Sequence, residues 1–185
     1  MKYSDIYRLY STSQPKDAIH QALREVPVDD SDEQYEDRSP LHLACQYGDT
    51  EGVKILLERD AEPNTKDANG STPIHILGRT SAGCADEDKL KEIAVMLIEQ
   101  GANIPRSAKN TTALIECIRN RHFKMAEAII DSGARVNSTD LNGENVLFGF
   151  CAASGDIRRD IRFAKKELDL SLIHISEPTR LDVIS

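Results

Sequence analysis

The sequence predicts an all-α protein, a solenoid of stacked helix-turn-helix units joined by β-hairpin loops. Three observations carry this. The phrase Ser39-Pro40-Leu41-His42 returns as Thr72-Pro73-Ile74-His75, and its aliphatic residue falls in register at Leu41, Ile74, Leu114 and Leu147, in steps of 33, 40 and 33. A second landmark follows at Asp60-Ala61, Gly101-Ala102 and Gly133-Ala134, so that aliphatic residue and Ala are 20, 28 and 20 apart. Between the landmarks, apolar residues keep helical spacing. Repetition at such a period marks units that bury their apolar sides against one another.

Composition agrees. Of 185 residues, 39% are hydrophobic and 29% charged, which suits a folded domain rather than a disordered chain. Aromatics are 5% and Trp is absent, so Leu, Ile, Val and Ala must build the core, which favours packed helices. A net charge of -8 and a pI near 5.1 argue against nucleic acid, whose phosphates need a basic face. A basic protein surface is the better match. No apolar run is long enough to span a membrane, and no apolar stretch of a secretory signal follows Lys2; a monomeric, cytoplasmic protein is expected.

From the N-terminus, residues 4–28 read as a degenerate first unit, a cap. Ile6, Tyr7 and Leu9 supply one short apolar face, and Ile19, Ala22 and Leu23 a second after Pro15. The run Asp29 to Asp37 then places six carboxylates in nine residues, either a solvated loop or an attractor of basic partners.

Four units follow, at 37–66, 70–105, 110–137 and 143–170, making 1–170 one domain. Val53, Leu56 and Leu57 mark the buried side of a helix in the first, Leu90, Ile93, Leu97 and Ile98 in the second, and Ala126, Ile129 and Ile130 in the third. Gly101 and Gly133 stand where such helices end in a left-handed residue, a place Asp60 takes in the first unit. Asn69-Gly70 and Asn142-Gly143 mark tight turns. The longer middle step is an insertion, Arg79 to Asp88, lengthening the link between two helices.

These residues resemble the ankyrin repeat family: Ser39-Pro40-Leu41-His42-Leu43-Ala44 with Gly48-Asp49 and Leu56-Leu57, then Thr72-Pro73-Ile74-His75 with Gly101-Ala102. The likeness covers roughly residues 37–170. The third unit departs from it with Thr112-Ala113-Leu114-Ile115 and with Arg121 in a usual Gly position; the fourth has Asn145-Val146-Leu147-Phe148 and one extra residue before Gly155. The tail 171–185 contains Ser171 to Arg180, SLIHISEPTR, similar to a translated sequencing-adapter peptide. On that reading the natural chain continues through further repeats; the alternative is a natural capping tail.

The resemblance implies recognition of a folded protein without catalysis, through hairpin tips and the exposed side of each first helix. By register those positions are Tyr35, Glu36, Arg38, Gln46 and Tyr47, then Ala68, Asn69, Ser71 and Arg79, then Lys109, Thr111, Arg119, Asn120, Leu141 and Glu144. Tyr35, Tyr47, Arg79 and Arg119 lead, being of the types enriched at interface hot spots. It also implies that His42 and His75 each tie their own hairpin to the adjacent one.

No cofactor, metal or catalytic residue is expected. No nucleophile elbow, Walker loop or paired-carboxylate motif occurs, and His20, His122 and His174 fall in unrelated contexts. Cys45, Cys84, Cys117 and Cys151 have no CxxC spacing, so reduced core thiols are favoured over a metal or disulfide role, with Cys84 the exposed one. Two alternatives stand beside a binding module. The chain is a segment of a longer protein with a separate enzymatic or membrane domain, or it is an effector or toxin-neutralising inhibitor.

Overall fold

The computed structural model describes residues 1–80, 86–104 and 112–134. The expected fourth unit, the 171–185 tail, Cys84 and Cys151 lie outside the described residues. Eight α-helices are described: α1 (Tyr3–Ser11), α2 (Lys16–Glu25), α3 (Pro40–Gln46), α4 (Thr50–Leu57), α5 (Pro73–Gly78), α6 (Glu87–Glu99), α7 (Ala113–Arg119) and α8 (Phe123–Asp131). They pack in pairs in chain order, α1 with α2, α3 with α4, α5 with α6 and α7 with α8. One layer runs α1, α3, α5, α7 and the other α2, α4, α6, α8, each helix packing on the next in its layer. The result is the two-layer, all-α solenoid that the period predicts.

Local sequence sets where the helices begin. Pro40 and Pro73 occupy the first turn, where a missing N–H costs nothing. Immediately before them, Ser39 N–H donates to His42 Nδ1 at 3.1 Å and Thr72 N–H faces His75 Nδ1 at 3.4 Å; the Ser39 and Thr72 hydroxyls lie 2.9 Å from the same nitrogens. With Nδ1 of His42 accepting, its proton sits on Nε2, which donates to the Ser71 carbonyl of the next unit at 3.0 Å. His42 thus joins its own turn to its neighbour, as the resemblance implies. Burial pushes its pKa down to about 4.

Left-handed residues end the helices where the sequence places them. Gly101 and Gly133 have φ of 85° and 90°, while Asp60 (62°) and Arg121 (64°) hold the same conformation with side chains attached. Between the layers, Leu41, Leu56, Ile74, Leu77, Leu90, Ile93, Leu97 and Leu114 are completely or almost completely buried. Cys45 and Cys117 are buried thiols outside any disulfide, with burial raising their pKa.

Three expectations change in detail. On α1 the buried face is Tyr3, Ile6 and Tyr10; Tyr7 and Leu9 are only half-buried, because spacings of three and four place Tyr3, Ile6 and Tyr10 on the side facing α2 and α3. The joining loops are turns, and no strand ladder forms among the described residues beyond an isolated bridge at Thr112. The insertion is partly helical. Asp86 caps α6 by accepting from Asp88 N–H at 3.0 Å, so Glu87 and Asp88 belong to the helix, and Lys124 of α8 reaches Asp88 at 2.6 Å.

Candidate protein-binding face

The turn tips are built by side chains that replace strand pairing. Asp67 Oδ1 accepts from Asn69 N–H at 2.9 Å and Ser71 N–H at 2.8 Å, while Asp67 N–H donates to the Ser71 carbonyl at 2.9 Å. Ala68 N–H donates to the Glu36 carbonyl at 2.8 Å, tying this tip to the preceding one. The preceding tip is a short 3-10 turn, Glu33–Tyr35, capped by Asp32, after which Glu36 and Asp37 turn left-handed at φ 61° and 52°. Glu36 and Ala68 are exposed at the tips and Asn69 is half-buried.

Several expected contact residues are instead spent inside the array. Ser71 is fully buried: its carbonyl accepts from His42 and its hydroxyl from Arg79 at 3.0 Å, so it is not on the surface. Arg38 donates to Gln46 Oε1 at 2.9 Å, pairs with Glu36 and faces Asp67 at 3.6 Å. Arg79 pairs with Glu116 at 3.2 Å. The Arg38–Gln46 and Arg79–Ser71 bonds are one contact written twice, since 38 and 71, and 46 and 79, share repeat positions. Asn120 donates to the carbonyls of Gly78 and Glu116, both at 3.0 Å, capping the ends of α5 and α7. Arg119 is half-buried. Lys109, Thr111, Leu141 and Glu144 lie outside the described residues.

Tyr35 and Tyr47 fall into an aromatic group. Tyr35 packs on Tyr7 and Tyr3, with ring centroids 4.3 Å and 5.6 Å away. Tyr47 stacks on Tyr10 at 4.8 Å and 11° and remains 38% exposed. Three of these rings come from α1, which sequence reasoning left out of the face. The spacing of Tyr3, Tyr7 and Tyr10, four then three, was the available signal.

A polar cluster lies behind this group. Asp49, buried before α4, accepts from Tyr10 Oη at 2.8 Å and lies 3.0 Å and 3.1 Å from His20 Nε2. Burial first, and Asp49 second, hold the Tyr10 phenol protonated, so it is a structural donor rather than a nucleophile. His122 is also used internally, 2.6 Å from the Thr80 carbonyl. No cluster of His, Cys, Asp and Glu among the described residues has metal-binding geometry.

Comparison with known proteins agrees with the architecture. Residues 22–77 match the family model of ankyrin repeats occurring in many copies. The chain is 38% identical over 69 residues, 37% of its length, to a transient receptor potential cation channel subfamily A member 1 homolog of Caenorhabditis elegans. It is 30% identical over 142 residues, 76% of its length, to neurogenic locus notch homolog protein 1 of Mus musculus, and 31% over 115 residues, 60% of its length, to Rabankyrin-5 of Mus musculus. It spans 6%, 5% and 9% of those three proteins respectively. Residues 22–77 are therefore ankyrin repeats, and the fold is an ankyrin solenoid.

Proposed function

We propose that this ankyrin solenoid is a non-enzymatic recognition module that binds a folded protein through its turn tips and inner-helix ends, scaffolding or regulating that partner. Ankyrin repeats mediate protein–protein interaction, and the carrying observation here is which side chains turn inward and which turn outward. His42 and His122 are internal ties, whereas Glu36 and Ala68, joined at adjacent turn tips, and Tyr47 at the end of α3 are exposed. No described helix is long and apolar enough to cross a membrane.

The short coverage of its relatives favours a second reading beside the first, that the chain is the ankyrin segment of a longer polypeptide whose other domains carry enzymatic or membrane functions.

Affinity capture tests the face. The full chain is compared with a variant carrying Glu36→Lys, Ala68→Glu and Asn69→Ala, its folding checked by circular dichroism. Selective loss of partners is expected; equal recovery of every partner by both proteins rejects it.

A further inference from the structure

We infer that the end of this face where α1 meets α3 is a docking ledge for a lysine- or arginine-bearing segment of the protein partner. This rests on the protein-binding reading above and gives it a place and a chemistry.

All five tyrosines of the chain gather here, in three ring contacts that link α1 to the Tyr35 turn and to the end of α3. Among the described residues Tyr47 is one of two exposed large hydrophobic side chains, the other being Met1. Tyr3 Oη, buried beside Tyr35, has no hydrogen-bond partner. Rings gathered at one edge with Tyr47 open to solvent are good contact surface.

The charge around the rings selects the occupant. Three of the six carboxylates in the adjoining run have internal duties: Asp30 accepts from Tyr3 N–H at 2.7 Å, Asp32 caps the 3-10 turn and Glu36 pairs with Arg38. Among the described residues, Asp29, Glu33 and Asp37 form no ion pair. Arg38 is already offset by Glu36 and Asp67, while Lys2 just before α1 and Arg8 on it are exposed and, among the described residues, form no ion pair with these acids. Electron-rich tyrosine faces beside uncompensated carboxylates favour an ammonium or guanidinium, which stacks on a ring while donating to an acid. An acidic segment would be repelled, and an apolar one would gain nothing from the carboxylates.

The test titrates the full chain with a fluorescent peptide of alternating Arg and Ser, and with its Glu-Ser counterpart, followed by anisotropy. The Arg peptide should bind and the Glu peptide should not. Tyr47→Leu keeps apolar bulk against Tyr10 but removes the aromatic face, and should weaken binding about tenfold, as should Glu33→Lys. Tyr47→Phe should bind like the native chain, because the ring and not its hydroxyl makes the contact. No preference for the Arg peptide overturns the inference. Binding weakened by Glu33→Lys but indifferent to Tyr47→Leu also overturns it, since that is diffuse attraction without a ledge. A natural partner lost with the turn-tip variant but retained by Tyr47→Leu and Glu33→Lys sinks the ledge and leaves the wider reading standing.

Discussion

The hydroxyl of Tyr10 donates to the carboxylate of Asp49 at 2.8 Å, across 39 positions of sequence. The bond locks the end of α1 onto the start of α4, and His20 of α2 meets the same carboxylate. One buried acid therefore holds three helices together, with the exposed Tyr47 ring stacked on the same tyrosine.

Gly52 makes that bond sensitive to a single methyl. A Cβ at Gly52 would lie 2.6 Å from Asp49 Oδ2 and 2.9 Å from Tyr10 Oη. Alanine favours a helix interior by about 1 kcal/mol over glycine, but separating a buried phenol from its carboxylate costs roughly 1–3 kcal/mol. Gly52→Ala is expected to destabilise the protein despite its helix preference. Urea denaturation checks the sign, and a raised midpoint would contradict it.

Arg59 supplies a second tie to the same region. Its Nη1 donates to the carbonyls of Leu23 at 2.5 Å and Val26 at 2.8 Å, satisfying the open end of α2. Arg59→Ala should cost roughly 1.5–3 kcal/mol, the range for hydrogen bonds to charged groups. Hydrogen exchange should accelerate in α1 and α2 before α7 and α8; uniform acceleration along the array would refute a local clasp.

Acid should weaken the unit-to-unit tie at His42. Its pKa is lowered to about 4 in the folded chain against 6.5 when unfolded, so the unfolded state takes up the proton first. The contribution is intact above pH 6.5 and is lost as pH falls to 4, the loss amounting to about 3 kcal/mol at the lower end. His42→Gln should melt lower at pH 7 yet show a shallower fall in Tm across this window. Parallel curves would show that another group dominates.

Relief of backbone strain should work in the opposite direction. Arg121 is exposed and left-handed at φ 64°, a conformation that glycine adopts without steric penalty. Arg121→Gly is expected to raise stability by about 1 kcal/mol, the lower end of the left-handed cost. A lowered Tm would mean that the side chain does more than occupy the position.

The array was legible because its period repeats physical needs: Pro after Ser or Thr to start a helix, a leucine or isoleucine in the core, and a left-handed residue to finish. The candidate face was only partly legible. Arg38, Gln46, Ser71, Arg79 and Asn120 lie at turns and helix ends, but register does not reveal whether a polar group meets solvent or a neighbouring carbonyl. Ser71 and Asn120 are turned to internal hydrogen bonds, while Tyr7 joins Tyr35 at the surface from a helix outside the clear repeats.

By itself, the sequence determined the helical units, their order and their ends, because those follow from local spacing, caps and backbone preference. Only the tertiary structure decided that Asp49 would answer both Tyr10 and His20, and that five scattered tyrosines would share one edge. Such contacts depend on where α1, α2 and α3 come to lie after packing, and no short-range pattern encodes a meeting across 39 positions.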